Sequence, residues 1–472
     1  MDKIKNKKKL EKIFLLVLVF SFFKIPYSFS APNYKPGEVL VKYKSGVFKP
    51  RLRINALYDK AGVDEVRHYK GAMKGFDYLI LNEGVNVEET IVELEQSDSV
   101  EYAQPNYILE TYPIEPEETQ ETEDPLLGKK HCLNAEMPVP EMPALAECSL
   151  DKKLKEKPAL NPMPEEVIPA VADPNLNKSY ALFKMGVDQA WSINQGSKDI
   201  IVADIDTGID YNHEDLSFNL WRNPNPSNKQ DIVGFDFIHN DGLPYDDQQH
   251  GTHTAGIIGA VGGNGIGSSG VSQRVSLMAL KFINSEGIGT TADAVSAINY
   301  AISHGAKIIN SSWGGKADQE NKILHESIIQ AKEHGVLFIS AAGNDKSDND
   351  GDDPNYPAAF TDDNIISVAA TDEDDDLAPF SSYGQKTTHI AAPGVNIYST
   401  VPDNKYRKLS GTSMATPYVT GAAVLVWAAH PSWDYQQVKR ALLSSVDVIP
   451  SLEGKVATSG RLNVLKALQY QE

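Results

Sequence analysis

The run Val202-Ala203-Asp204-Ile205-Asp206-Thr207-Gly208 is an apolar strand that carries carboxylates and ends in a glycine turn. Similar apolar runs recur in the C-terminal part of the chain and alternate with stretches of helical spacing. Strands are expected at 200–205, 275–282, 307–310, 336–341 and 365–369, and helices at 291–303 and 323–334. This alternation predicts an α/β fold, a doubly wound and mostly parallel sheet with helices on both faces. Active sites in such sheets lie at the carboxyl ends of strands, which is where Asp206 stands.

Two further segments carry side chains that acyl transfer requires. His250-Gly251-Thr252-His253 supplies an imidazole, and Gly411-Thr412-Ser413-Met414-Ala415 places a hydroxyl at the start of an alanine-rich apolar helix. A serine becomes nucleophilic when an imidazole takes its proton, and a buried carboxylate such as Asp206 orients that imidazole. Asn344 follows a strand, and its amide is the candidate donor to the developing oxyanion.

Each element taken alone has a plainer interpretation. An aspartate before Thr-Gly is usually a turn residue, a serine at a helix start is usually an N-cap, and the two histidines could bind a metal. A serine esterase of the hydrolase fold would show Gly-x-Ser-x-Gly and the order Ser, Asp, His, whereas this chain has the order Asp, His, Ser. An inert binding module built on the same fold stays an alternative, although every catalytic position is filled.

Residues 173–472 resemble the subtilase family of subtilisin-like serine proteases, in its secreted subtilisin and thermitase branch. The likeness rests on Asp206-Thr207-Gly208, His250-Gly251-Thr252-His253, Asn344 after Ala-Ala-Gly, and Gly411-Thr412-Ser413-Met414-Ala415. It implies a serine endopeptidase that hydrolyses peptide bonds through an acyl-enzyme intermediate. It also implies that His250 is the base and that His253 is structural.

The resemblance extends to residues that would contact a protein or peptide substrate. It implies an edge strand that pairs with the substrate backbone at Gly287, Ile288 and Gly289, although a plain turn is the alternative there. It implies a second substrate strand at Ser312, Trp313 and Gly314, which would line one side of the primary specificity pocket. Asn355 matches the floor of the specificity pocket, which would be polar and uncharged, so we expect broad specificity.

Calcium is the cofactor that the resemblance implies, and the acidic composition is compatible with it. Asp173, Asp215 and Asn264 match a strong calcium site, and Asp236 and Asp241 match a second one. In that second site His239 stands where the family has a carboxylate.

The first thirty residues predict a signal peptide. Six lysines between residues 3 and 12 precede a mostly apolar run at 13–23, and Ser28 and Ser30 precede Ala31. We therefore expect secretion, either to the extracellular space or to the periplasm, with no stable membrane span after signal removal. An uncleaved membrane anchor is the alternative. The formal net charge of −20 argues against nucleic acid as a partner.

Residues 31–112 predict a small α+β unit, and they resemble the ferredoxin-like inhibitory pro-domain of the family. The resemblance implies that this pro-domain is an intramolecular inhibitor, with self-cleavage either near 110–113 or before 173. Residues 113–172 are rich in proline and glutamate and predict a linker or insert, which contains the two cysteines, Cys132 and Cys148. These could form a disulfide. The peptidase domain would comprise residues 173–472, and we expect a monomer.

Asp204 departs from the family pattern, in which an aliphatic residue is usual at this position. Two residues before Asp206, it would lie on the same face of the strand. A buried carboxylate without a partner is unfavourable, so we expect a hydrogen-bonding partner or a raised pKa.

Overall fold

The computed structural model describes residues 33–45, 51–111, 157–162, 171–316 and 321–472. The predicted signal peptide, both cysteines and most of the predicted linker lie outside the described residues.

The N-terminal unit is an antiparallel sheet of strand order β4-β1-β3-β2 with two helices. Its elements are β1 (Tyr34–Tyr43), α1 (Arg51–Lys60), β2 (Val63–His68), β3 (Phe76–Leu81), α2 (Val87–Glu95) and β4 (Val100–Thr111). Helix α2 begins where the Asn86 side chain accepts a hydrogen bond from the backbone N–H of Glu89. The α+β unit expected from the sequence is therefore present, with the βαββαβ order of a ferredoxin-like fold.

The sheet of this unit has two buried faces. Val39, Val41 and Leu79 on one face pack against residues of α1 and α2. Leu40 and Tyr78, on the other face, pack against the second unit of the chain. The alternation along β1 and β3 therefore serves two different interfaces, since successive side chains of a strand point to opposite faces.

The second unit is built on a sheet of strand order β16-β17-β13-β12-β11-β9-β5-β7-β6, parallel except for the β16–β17 pair. The strands of this sheet are β5 (Gly196–Asp206), β6 (Gly234–Asp236), β7 (Arg274–Lys281), β9 (Ile308–Ser311), β11 (Leu337–Ala341), β12 (Ile365–Thr371), β13 (Ile390–Pro393), β16 (Asp447–Val448) and β17 (Gly460–Arg461). Four further strands lie outside it: β8 (Ile288–Thr290), β10 (Trp313–Gly314), and the hairpin of β14 (Ile397–Val401) and β15 (Lys405–Leu409).

Helices cover both faces of this sheet. They are α3 (Tyr180–Lys184), α4 (Val187–Ala190), α5 (His250–Gly259), α6 (Thr291–Ser303), α7 (Lys322–Glu333), α8 (Thr412–Ala429), α9 (Tyr435–Ser444) and α10 (Val464–Leu468). Side chains of α5, α8, α9 and α10 share one apolar core with the sheet, and side chains of α6 and α7 share another. The predicted doubly wound α/β architecture is confirmed. In the part of the chain that the structure describes, no helix combines the length and the apolarity needed to cross a membrane.

Candidate active site

Asp206 and His250 meet at the carboxyl end of β5. The imidazole Nδ1 lies 2.7 Å from Asp206 Oδ1, and both side chains are buried. The same carboxylate oxygen accepts the backbone N–H of Thr207 at 2.7 Å. A carboxylate held in this way keeps the proton on Nδ1 and leaves Nε2 as the basic nitrogen. Among the described residues, His250 Nε2 has no hydrogen-bonding partner.

Asp246 organises the turn that delivers His250, and the sequence analysis missed it. Its carboxylate accepts the hydroxyls of Thr207 at 2.8 Å and Thr252 at 2.6 Å, and the backbone N–H of Thr252 at 2.9 Å. Burial raises the pKa of Asp246, and the two hydrogen bonds from Thr252 oppose that rise. In the sequence Asp246 stands in an ordinary acidic turn beside Asp247. Its role in organising the turn before His250 is therefore visible only from its contacts in the folded structure.

His253, one turn along α5 from His250, is turned away from Asp206. Its Nε2 lies 3.0 Å from the carbonyl oxygen of Ile397 and 3.1 Å from that of Arg407, so it donates to the β14–β15 hairpin. Burial lowers the pKa of His253 to about 3, which keeps the ring neutral. The structural part expected for this histidine agrees with these contacts.

Ser413 lies in the first turn of α8, a helix that packs against α5. Its hydroxyl donates to the carbonyl oxygen of Ser312 at 2.9 Å, and Ser312 Oγ donates in return to the carbonyl oxygen of Ser413 at 3.1 Å. The observed hydroxyl hydrogen bond of Ser413 is thus to Ser312 and not to His250. Hydrogen bonds between a serine and its base are often formed only in the substrate complex, when the serine rotamer changes.

Asn344 is fixed against the start of α8. Its Oδ1 accepts the backbone N–H of Thr412 at 2.9 Å and the Thr412 hydroxyl at 2.8 Å. A Cβ added at Gly411 would stand 3.0 Å from Asn344 Nδ2, so the amide nitrogen lies beside Gly411, two residues before Ser413. An amide held by its oxygen presents its nitrogen in a fixed direction, as an oxyanion donor must be.

The end of β4 fills the space between the two predicted substrate strands. Ile108, Leu109 and Glu110 pair antiparallel with β8, and Glu110 and Thr111 pair antiparallel with β10. The backbone N–H of Thr111 donates to the carbonyl oxygen of Gly287 at 3.0 Å. An extended segment of the N-terminal unit thus lies where strand addition would bind a peptide.

Gly287 permits the close approach of β4, and Gly289 permits a close contact within the second unit. Gly287 has φ +82°, and a Cβ there would stand 2.7 Å from the Thr111 hydroxyl oxygen. A Cβ at Gly289 would stand 2.6 Å from the carbonyl oxygen of Phe282. The structure therefore requires glycine at both ends of the predicted edge strand. Because glycine is also common in turns, the sequence was equally compatible with a plain turn there.

The N-terminal unit also supplies hydrogen-bond acceptors for backbone N–H groups at the starts of two helices. Asn106 Oδ1 accepts the backbone N–H of Ala292 in the first turn of α6 at 2.9 Å. Gln104 Oε1 accepts the backbone N–H of Ile323 in the first turn of α7 at 3.1 Å. The first N–H groups of a helix have no partner within the helix, so these contacts bind β4 to the second unit.

Asn355 is buried beneath Gly343, where a Cβ on the glycine would stand 2.6 Å from Asn355 Nδ2. That nitrogen donates to Asp345 Oδ1 at 3.0 Å and to Ser347 Oγ at 2.9 Å. The amide predicted as a pocket floor is therefore held inside a polar network. Trp313, predicted beside the same pocket, is fully buried and donates its indole N–H to the carbonyl oxygen of Ile205 at 2.6 Å.

The first predicted calcium site brings its three residues together. Asp173 accepts the backbone N–H of Asn264 at 3.0 Å, and the Asn264 amide donates to Asp215 at 2.8 Å. Both carboxylates are buried, and burial raises the pKa of Asp215 to about 7. Carboxylate and amide oxygens are the ligands that calcium prefers, although here both Asp173 oxygens accept backbone N–H groups of residues 263–265 and Asn264 Oδ1 accepts that of Ile266. The described residues contain no group of three or more His, Cys, Asp or Glu side chains arranged for a metal.

The second predicted site holds a lysine. Lys157 Nζ lies 2.7 Å from Asp236 Oδ2 and 2.9 Å from Asp241 Oδ2. His239 Nδ1 also lies 2.9 Å from Asp236 Oδ2. The ammonium group of Lys157 bridges the two carboxylates, so this pair does not fit a calcium ion while Lys157 is bound.

Residues 157–162, part of the predicted linker, are thus docked on the second unit. Besides Lys157, the carbonyl oxygen of Pro158 accepts the Tyr211 hydroxyl at 2.6 Å, and that of Ala159 accepts the Asn212 amide at 2.8 Å. Val171 pairs with Asn264 in an isolated β-bridge. Parts of the proline-rich region therefore make specific contacts, although its composition predicted a linker.

Comparisons with known proteins match both units. Residues 197–466 match the model of the subtilase family, and residues 29–106 match the fervidolysin N-terminal prodomain. Thermitase of Thermoactinomyces vulgaris is 37% identical over 294 residues, which are 62% of this chain and 97% of thermitase.

Two further relatives are longer than the region they share with this chain. The thermophilic serine proteinase of Bacillus sp. (strain AK1) is 36% identical over 283 residues, covering 60% of this chain and 65% of the relative. Subtilisin-like protease 1 of Plasmodium falciparum (isolate 3D7) is 36% identical over 295 residues, covering 56% of this chain and 42% of the relative.

Proposed function

Because the chain belongs to the subtilase family and is a serine-type endopeptidase with an N-terminal prodomain, we propose that Asp206, His250 and Ser413 are its catalytic triad. We further propose that it is secreted as a precursor that processes itself. The observation that carries this proposal is the position of residues 108–111, paired with β8 and β10 in the manner of a bound peptide.

The proposed mechanism assigns one step to each side chain. Ser413 Oγ attacks the carbonyl carbon of the peptide bond while His250 Nε2 takes its proton. Asp206 holds the imidazolium through Nδ1, and the Asn344 amide donates to the oxyanion of the tetrahedral intermediate. The imidazolium then gives its proton to the leaving amine, and water releases the acyl group by the same sequence of steps.

Before attack, the Ser413 hydroxyl has to leave the carbonyl oxygen of Ser312 and turn toward His250. His250 Nε2, which has no partner among the described residues, supports this, because a buried acceptor gains a hydrogen bond when the serine rotates.

Residues 31–112 are proposed to be the inhibitory pro-domain. The chain direction of β4 runs from Ile108 past Gly287 toward the catalytic residues, so the bond to be cut would follow soon after Thr111. Residues 112 and 113 lie outside the described residues. Residues 113–172 would then remain with the peptidase domain at 173–472 until a later cleavage. The contact of Lys157 with Asp236 and Asp241 supports this retention.

Calcium is proposed at Asp173, Asp215 and Asn264. Two buried carboxylates without a cationic partner among the described residues support a divalent cation there. Such an ion would hold the 262–267 loop to the start of the domain and stabilise the enzyme in a calcium-containing medium.

The test compares three proteins: wild type, Ser413→Ala, and Ser192→Ala as a control at an exposed serine. We expect wild type and Ser192→Ala to shorten themselves, to hydrolyse casein and to react with a fluorophosphonate. The Ser413→Ala precursor should stay full-length and unlabelled. A wild type that is inert to casein and fluorophosphonate would instead support an inert binding module, and a Ser413→Ala protein that matures normally would point to an external processing enzyme.

A further inference from the structure

Asp204 is a carboxyl group buried behind the proposed triad. It lies two residues before Asp206 on the same strand, and no part of it is exposed. Its neighbours on the flanking strands are Ala279 of β7 and Asn310 of β9. Among the described residues it forms no ion pair, and burial, followed by the charge of Asp206, raises its pKa.

The contacts of Asp204 Oδ2 indicate where its proton lies. Thr254 Oγ1 is 3.0 Å from Asp204 Oδ2 and also 3.0 Å from the carbonyl oxygen of Gly251. One hydroxyl proton cannot serve both oxygens. If Asp204 Oδ2 carries a proton, it donates to Thr254, and the Thr254 hydroxyl is free to donate to Gly251, so both contacts become hydrogen bonds.

The second oxygen, Asp204 Oδ1, is connected to Ser413 through a series of hydrogen bonds. Asn310 Nδ2 donates to Asp204 Oδ1 at 2.9 Å and lies 3.1 Å from Ser312 Oγ. The Asn310 amide oxygen accepts the hydroxyl of Thr420 in α8 at 2.8 Å. Ser312 in turn exchanges two hydrogen bonds with Ser413. The acid therefore joins the helix that carries His250 to the strand and helix that hold the nucleophile.

The charges nearby favour a neutral acid. The titratable groups on the adjoining segments are Asp206, Asp246, His250, His253 and Lys281. Asp206 and Asp246 both raise the pKa of Asp204. The ammonium of Lys281 is bound to the carbonyl oxygens of Thr207 and Ile283 and to Asp247. His250 is paired with Asp206, and His253 is neutral. A second ionised carboxylate beside Asp206 would have no counter-charge from the described residues in a medium of low polarity.

We propose that Asp204 is a protonated positioning residue, whose carboxylic acid donates to Thr254 and accepts from Asn310 so as to hold His250 and Ser413 in register. It contacts neither substrate nor reacting atoms, and the proposal rests on the proposed function of the triad. Of the two carboxyl groups on β5, Asp206 is then the one that pairs with His250 as a carboxylate, and Asp204 adds no second charge beside it.

The protonation state can be tested without proteolytic activity. Infrared difference spectra between the Ser413→Ala precursor and the same precursor with Asp204→Asn should contain the C=O stretch of a protonated carboxylic acid at neutral pH. Asparagine reproduces the neutral acid, since its Nδ2 can donate to Thr254 while its Oδ1 accepts from Asn310. If the spectra show an ionised carboxylate lost at neutral pH instead, the proposal is overturned whatever the activity of the wild type.

The positioning part is tested in the processed enzyme with Asp204→Asn and Asp204→Val. We expect Asp204→Asn to keep kcat within about threefold and the pH profile of kcat/KM unchanged, because the neutral hydrogen bonds survive. Asp204→Val should lower kcat by about 100-fold with KM little changed, since small misplacements of catalytic groups have effects of this size. Full kcat in Asp204→Val, or a displaced pH profile in Asp204→Asn, would refute the proposal. If Asp204→Val does not fold, a displaced pH profile or a large loss of kcat in Asp204→Asn would still refute the proposal.

Discussion

Replacing Leu109 with alanine should weaken the binding of the pro-domain to the processed enzyme by about 50-fold. Leu109 pairs with Gly289, and its side chain is only 3% exposed in an apolar cluster that includes Trp313. The substitution removes three buried carbon groups at about 0.8 kcal/mol each, or about 2.4 kcal/mol in total. At 1.4 kcal/mol for each factor of ten, this corresponds to about 50-fold in the dissociation constant, and a residual cavity would add to it.

The neighbouring residue provides the matched control. Glu110 pairs with the same strands through its backbone, but its side chain is exposed. Glu110→Ala should therefore change the dissociation constant by no more than about twofold, as is usual for surface substitutions.

The assay starts from the full chain after it has processed itself. Serial dilution of the processed complex releases the pro-domain, and hydrolysis of a peptide substrate reports the free enzyme at each concentration. The midpoint of the dilution curve gives the dissociation constant for wild type, Leu109→Ala and Glu110→Ala. If Leu109→Ala binds as tightly as Glu110→Ala, the 108–111 segment does not occupy the substrate cleft as described.

Three further predictions concern other parts of the molecule. Asp206→Asn should lower kcat by about 10⁴-fold with KM little changed, because the imidazole loses the group that selects its tautomer; a loss below tenfold in steady-state kinetics would contradict this role. Burial depresses the pKa of His253 to about 3 from 6.5, so as pH falls the unfolded chain gains a proton that the folded chain does not, and stability present above pH 6.5 is lost progressively toward pH 3. Between pH 7 and pH 4.5 this effect should lower the free energy of unfolding of the Ser413→Ala variant, measured with urea, by about 2.5 kcal/mol. His253→Gln in the same background should reduce the dependence of that free energy on pH. An equal pH dependence in the two proteins would contradict the buried neutral ring. Lys157→Met should leave Asp236 and Asp241 without a cation and add one bound calcium ion per chain in equilibrium dialysis, whereas an unchanged ion count would show that the pair does not select calcium even when vacant.

Much of the fold could be read from local pattern. Helix α6 was predicted with its observed bounds, and the bounds of β7, β9, β11 and α7 were predicted within a residue at each end. Buried parallel strands are short apolar runs and their covering helices have a regular spacing, so both leave a local signal. The N-terminal helix α1 and strand β2 were missed, because neither has a strong apolar stripe.

The candidate catalytic residues could also be named from the sequence, because each lies in a short motif with a distinctive turn or helix start. What the motifs did not contain was the pairing of distant segments. The extension of β4 to Thr111, its insertion between β8 and β10, and the place of Lys157 between two carboxylates depend on contacts more than 70 residues apart along the chain.

The sequence by itself thus determined the α/β class, the order of the catalytic residue types and the presence of a pro-domain-like unit. Only the tertiary structure showed that Ser413 donates a hydrogen bond to Ser312, that Asp246 organises the turn before His250, and that Asp204 is hydrogen-bonded to Thr254 and Asn310. The physical reason is that backbone periodicity and turn chemistry act over a few residues. A buried polar group instead bonds to whichever donor or acceptor the folded chain brings within about 3 Å, and that group can be far away in the sequence.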